Sequence, residues 1–284
     1  MTRARMLRKS ILCWLVLTPL IVLVLFPFAV MLSTALKPNA EVLAYPPRWL
    51  PQHVAWGNFA AMWRAADFGS AIANSFGISI AATALALLVA VPAAYALGRL
   101  PFAGSGPYRM FLLVTQMLAP VLLVLGLFRM AASIPFFGGG SLVNTRLIVI
   151  VIYAAFNIAF AVWMLSAYFA TIPRDLEEAA WLDGCTRARA VAHIFLPLAM
   201  PAIAVTATVT FVSGWNEFVV ALTMLRDPSK MTVTLQVVNL VAGRYDVDWN
   251  QVMAATLVAT LPVALVFFFL QRRLVEGLMV GGVK

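Results

Sequence analysis

The sequence predicts an all-α membrane protein with six transmembrane helices and both termini cytoplasmic. Three observations carry this. Of the 284 residues, 63% are hydrophobic and only 11% charged, whereas soluble domains hold about a quarter charged residues. A surface that apolar is stable against lipid, not water. Second, six apolar stretches approach the roughly 20 residues needed to cross a hydrocarbon core about 30 Å thick. Third, twelve of the 20 Lys and Arg residues fall in one alternate set of short loops and termini, and such loops face the cytoplasm. The length fits one or two domains, and the repeated spans favour a single membrane domain over residues 1–284.

The first span, 11–32, follows Arg3, Arg5, Arg8 and Lys9. Its apolar run is longer than a secretory signal core, so it reads as a retained first helix. Segment 33–70 carries "YPPRWLP" (45–51), where prolines forbid a regular helix. Trp49, Trp56 and Trp63 are candidates for the membrane interface. Spans two and three cover 71–98 and 109–129. "FFGGGS" (136–141) is an outer turn without the Lys-Ser or Lys-Thr of a phosphate loop, and the chain has no such loop elsewhere. It therefore carries no nucleotide engine of that kind. Spans four, five and six cover 146–169, 200–224 and 251–271. Pro19, Pro27, Pro92, Pro120 and Pro262 fall inside helices, either as plain kinks or as hinges of a moving gate.

The net charge of +9 belongs to the cytoplasmic loops, and no basic stripe interleaved with aromatics suggests nucleic acid. Cys13 and Cys185 lack any CxxC spacing and read as free thiols. His53 and His193 are isolated, so no metal site is expected. No HExxH, GxSxG or paired intramembrane carboxylates occur, which argues against an enzyme.

The most polar long run is "EEAAWLDGCTRARAVAHIFLP" (177–197), inside a predicted cytoplasmic loop over 170–200. Asp175 and Glu178 have the spacing of a capping box, with Pro173 upstream. A short helix then starts near Leu176 and places Leu176, Ala179, Ala180 and Asp183 on one face. Ala179 and Ala180 allow a close backbone approach, and Gly184 suits the helix end. A second helix over 186–195 follows, with Pro197 and Pro201 leading into span five. A plain connector needs only a few residues. A structured loop without catalytic pairing points to docking of another protein.

These residues carry a resemblance. Glu178-Ala179-Ala180, then Gly184, then Ile194, Leu196 and Pro197, resemble in full spacing the EAA motif of ABC importer permeases. "FNIAFAVWMLSAYFATIPRDLEEAAWLDG" (156–184), "GWNEF" (214–218), "LVNT" (142–145) and "AATLVATLPVALVFFFLQRRLVEGLMVGGVK" (254–284) are similar to the MalG-like carbohydrate branch. The likeness covers nearly the whole chain and is strongest from residue 140 onward. Cys185 stands where the family usually has alanine, and Lys284 where many members add a glycine.

The resemblance implies a type I importer fold in a bacterial inner membrane. It implies a second, MalF-like permease, two ATPase subunits that use ATP and Mg, and an extracytoplasmic sugar-binding protein. This chain itself would bind no cofactor. The loop would be the coupling helix, with Glu178 making the polar contact, Ala179 and Ala180 the close packing, Gly184 the corner, and Leu196-Pro197 the exit.

Polar groups inside a bilayer usually face a cavity or a partner. Asn74, Gln116, Asn157, Ser213, Asn216 and Glu217 are the candidates, with Tyr153 and Trp215 as rings for stacking on sugar. Glu217 reads either as a substrate or binding-protein contact or as a polar anchor between permeases. The rival class is an ion-coupled secondary transporter, for which Glu217 would be the intramembrane carboxylate.

Overall fold

The computed structural model describes the backbone over residues 3–65, 67–100, 102–136, 140–242 and 245–280, and side chains over 13–269 of these. Turn residues 137–139, Arg244 and tail residues 281–284 lie outside the described residues, as do the side chains of the N-terminal basic cluster, Arg272 and Arg273. The elements in order are α1 (Arg3–Ala35), α2 (Asn39–Val42), α3 (Gly57–Ala65), α4 (Phe68–Arg99), α5 (Ser105–Gln116) and α6 (Pro120–Ser133). A two-stranded hairpin, β1 (Pro135–Phe136) and β2 (Gly140–Ser141), follows. Then come α7 (Arg146–Thr171), α8 (Asp175–Leu182), α9 (Arg187–Ala190), a π-helical turn (Val191–Phe195) and α10 (Leu196–Asn216). The chain finishes with α11 (Val219–Met224), α12 (Val233–Asn239) and α13 (Trp249–Val280).

Among the described residues, five segments are long and apolar enough to cross a membrane: Cys13–Ala35, Phe68–Arg99, Arg146–Thr171, Arg187–Asn216 and Trp249–Phe269. The predicted third span, 109–129, is corrected to two helices, α5 and α6, bent by 91°. Taken as one broken span, the pair makes the sixth. The break follows from Pro120, which opens α6 at its first turn rather than sitting inside a helix. Ala119 before it is extended (ψ 131°), as a residue preceding proline prefers. Pro19, Pro27, Pro92 and Pro262 do lie within continuous helices.

The described contacts group into two units, Met1–Phe68 with Gln236–Leu261, and Gly69–Leu235 with Pro262–Lys284. In the first, α1 has no buried residue from Cys13 to Thr34, and only Ala35 at its end is enclosed. The carbonyls at its end are tied down: the Asn58 amide donates to Ala35 O and Lys37 O at 2.8 Å, and Asn250 donates to Lys37 O at 3.1 Å. Such side chains satisfy groups a helix end leaves unpaired. As the prolines predict, residues 43–56 form no helix. Trp49, Trp56 and Trp63 are exposed.

In the second unit α4 buries one row at four-residue spacing: Ile78, Ala82, Ala86, Ala90 and Ala94, all at most 2% exposed. Gly98 continues the row. A Cβ there would lie 2.7 Å from the Ser166 carbonyl and 3.2 Å from Phe169 Cβ of α7. Small side chains let two helix backbones meet, the usual way helices associate in lipid. The α7 helix is itself central, burying Ile148, Ile152, Val162, Leu165 and Phe169 among others. Thr145 caps its start, accepting the Ile148 N–H at 3.4 Å. Beside that cap Asn144 adopts φ +64° and accepts the N–H groups of Arg226 and Asp227, each at 3.0 Å. Hydrogen bonds from the Ser229 hydroxyl and backbone N–H hold the Asp227 carboxyl below the usual carboxylate range.

Candidate functional site

The polar run becomes α8, a tight corner, and a helix that runs on through α9 and the π turn into α10. The capping box is not formed: Arg174, in helical conformation without a side-chain cap, precedes Asp175. Asp175, Glu177 and Glu178 instead all occupy the first turn, where the helix dipole favours negative charge. The end of α8 is a Schellman motif. Gly184 has φ +78°, its N–H reaches Trp181 O at 3.0 Å, and the Cys185 N–H reaches Ala180 O at 2.9 Å. Glycine is needed here for its backbone, since a Cβ would meet nothing within 4 Å. Gly184→Val is therefore expected to destabilise the corner by about 1–2 kcal/mol, while Gly184→Asn stays near wild type. Thermal melting of the two purified variants checks this, and equal melting points would refute it.

The predicted second helix over 186–195 is not a separate one. Thr186 caps α9, accepting the Arg189 N–H at 3.4 Å, and the helix continues without interruption to Asn216. Its π turn, in which the Leu196 N–H returns to Val191 O, falls just before Pro197 and Pro201. Both prolines lack the N–H that a helix residue donates to its i−4 carbonyl, and a wider turn takes up the mismatch. Span five thus starts near 187 rather than 200. It also stops earlier, at Glu217, which leaves the helix with ψ 131°.

The whole elbow is rooted by a buried ion pair. Arg99 Nη2 lies 3.1 Å from Glu177 Oε2, with side chains 4% and 9% exposed. Tyr95 Oη donates to Glu177 Oε1 at 3.0 Å. Arg99 also donates to Ile172 O at 2.7 Å and to Pro173 O at 3.3 Å. Its guanidinium stands 5.0 Å over the Phe195 ring, and Phe195 packs edge-on against Tyr95 and Phe169. A buried carboxylate is tolerable only when paired and hydrogen-bonded, and here both conditions hold. Sequence reasoning missed Arg99, Tyr95, Glu177 and Phe195. The available signal was the doubled Glu177-Glu178: two adjacent helix positions face different ways, so the pair could serve one inward and one outward contact.

The predicted coupling residues divide accordingly. Glu178, Ala179, Asp183, Gly184 and Pro197 are exposed, and Ile194 and Leu196 are half-buried. Ala180 is corrected: it is 4% exposed and faces the chain's own interior. The open face of α8 is formed by Leu176, Glu178, Ala179, Trp181 and Leu182, the last 89% exposed.

The pathway candidates gather in part. Tyr153, 1% exposed, donates to Glu217 O at 3.4 Å and lies against Gly214. Asn157, one turn on, donates to Tyr153 O at 2.8 Å. Trp215 is 2% exposed, stacked on Phe211 with Phe76 at its edge. Both rings are buried in packing rather than presented at a surface. Asn216 and Ser213 are exposed. The Glu217 carboxylate accepts the Val220 N–H at 3.0 and 3.1 Å and the Ala221 N–H at 3.4 Å, so it starts α11. Asn74 is buried and donates to Ser229 O and Met231 O at 2.9 and 3.0 Å. Gln116 donates to Phe156 O at 3.1 Å.

Known proteins agree with this architecture. The sulfoquinovosyl glycerol transport system permease protein SmoH of Agrobacterium fabrum is 32% identical, over 92% of this chain and 89% of its own. The trehalose transport system permease protein SugB of Mycobacterium tuberculosis is 32% identical, over 95% of this chain and 97% of its own. A crystal structure of a bacterial ABC transporter that imports the acidic polysaccharide alginate superposes with a TM-score of 0.76. That match is 20% identical in sequence and covers 96% of this chain and 98% of that one. The family described as binding-protein-dependent transport system inner membrane component matches residues 90–280. The chain belongs to that family, as a multi-pass inner-membrane permease subunit rather than an ion-coupled secondary transporter.

Proposed function

We propose that this permease carries a carbohydrate, handed to it by an extracytoplasmic binding protein, and is driven through α8 by a separate ATPase. The sugar class is supported by relatives whose names give trehalose, sulfoquinovosyl glycerol and diacetylchitobiose as cargo. A second permease of different sequence and two ATPase subunits, which hydrolyse ATP with Mg as cofactor, complete the complex. The 170–200 elbow lies on the cytoplasmic side in this reading.

One observation carries the coupling role: α8 turns Glu178, Ala179, Trp181 and Leu182 outward while Glu177 is locked inward on Arg99. Exposed Trp181 and Leu182 supply apolar area for a groove, and Glu178 a charge for a cation on its wall. Because the helix after the Gly184 corner runs unbroken from Arg187 to Asn216, a displacement of α8 passed through that corner is transmitted along α10. Such switching needs a two-state element whose balance the nucleotide biases.

Glu178→Lys tests the reading. It reverses an exposed charge without touching the buried pair, so insertion and folding should be unchanged. Like charges across an interface cost several kcal/mol, so sugar uptake and substrate-stimulated ATP turnover should fall at least about tenfold. The readouts are uptake in proteoliposomes of the full complex and the amount of permease in the membrane. Wild-type uptake at wild-type abundance would sink the assignment.

A further inference from the structure

A cavity of about 180 Å³ opens where α1 ends, and its polar lining is Ser33, Thr34, Lys37 and Arg48, with Trp49 beside them. Lys37 is 6% exposed. Its ammonium donates to the Arg48 backbone carbonyl, which uses one of three N–H donors. Among the described residues neither Lys37 nor Arg48 forms an ion pair; the two pairs present are Arg99–Glu177 and Lys230–Asp227. The carboxylate nearest in sequence, Glu41, accepts the Gln52 N–H at 3.0 Å. A buried cation without a counter-charge is unfavourable, and a second cation on the same cavity adds repulsion. A bound anion relieves both.

The surroundings identify which anion. From Cys13 to Thr34 α1 has no buried residue, and Phe26 and Leu32, on the same helix as the cavity's Val30 and Ser33, are exposed. Trp49, which lines the cavity, is 70% exposed, and tryptophan sits at headgroup level. We propose that the cavity binds the phosphate of an anionic phospholipid headgroup. Lys37 and Arg48 make the charge-assisted contacts, and the acyl chains lie along α1.

The test is native mass spectrometry of the delipidated full complex, titrated with phosphatidylglycerol or phosphatidylcholine, with inorganic phosphate as competitor. Wild type should retain one phosphatidylglycerol in preference to phosphatidylcholine. Lys37→Met and Arg48→Gln should each weaken it at least about tenfold, since each removes a hydrogen bond to a charged group. Equal binding of both lipids by all three proteins would overturn the proposal. So would displacement by inorganic phosphate with the same dependence on Lys37 and Arg48, which would mark a site for soluble anions. If Lys37→Met does not fold, Arg48→Gln decides alone, because that side chain is exposed.

Discussion

Glu177→Ala is expected to destabilise the permease by about 3–5 kcal/mol, the penalty for leaving a buried charge without its partner. Arg99 would keep its bonds to the Ile172 and Pro173 carbonyls, but no carboxylate would neutralise it. The Tyr95 hydroxyl would lose its acceptor as well. The root of the elbow would then loosen, with α8 freed from the end of α4. Thermal melting in detergent and protease sensitivity near residue 180 are the measurements. The paired change Arg99→Met with Glu177→Leu should recover much of the loss, since replacing both ions by apolar groups of similar size is often neutral. An unchanged melting point in Glu177→Ala would mean the pair contributes nothing.

Gly98→Val is the second large effect. The added Cβ would lie 2.7 Å from a backbone oxygen of α7, which no rotamer change can move aside. Overpacking of this kind destabilises by about 1–3 kcal/mol, sometimes more, and here it would pry α4 from α7 next to the Arg99 anchor. Gly77→Ala on the same helix is the control. A Cβ there meets nothing within 4 Å, so removing glycine should be neutral or stabilising by up to about 1 kcal/mol. The amount of folded protein recovered from membranes, with melting points, distinguishes them. Equal yields would show that the two helices are not held at this distance.

The spans were legible because hydropathy over 20 residues is a physical requirement of the bilayer. Their details were not, and Pro120 shows why. Pro92 sits in a helix whose flanks, Ala90 and Ala94, are fully buried, so packing holds the two halves in line. Around Pro120, Met117 is 83% exposed, α5 packs on α7 while α6 packs on α11, and the chain bends. The same local pattern has two outcomes, decided by tertiary contact. The glycine corner was readable since only the left-handed region demands that residue type. The ion pair was not, because Arg99 and Glu177 are far apart in the chain and no periodicity links them. The sequence leaves Glu217 as either a substrate or binding-protein contact or a polar anchor between permeases, while the helix break that aims its carboxylate at the first N–H groups of α11 is a property of the fold.

The column of methyl groups along α4 has one more consequence. Alanine and glycine have no rotamers to freeze, so on the α4 side this face forfeits no side-chain entropy on packing. From Ala82 to Gly98 the α4 side of the seam offers only backbone and methyl groups, so how closely α7 approaches there is set by peptide dimensions, while α7 supplies the bulky side chains.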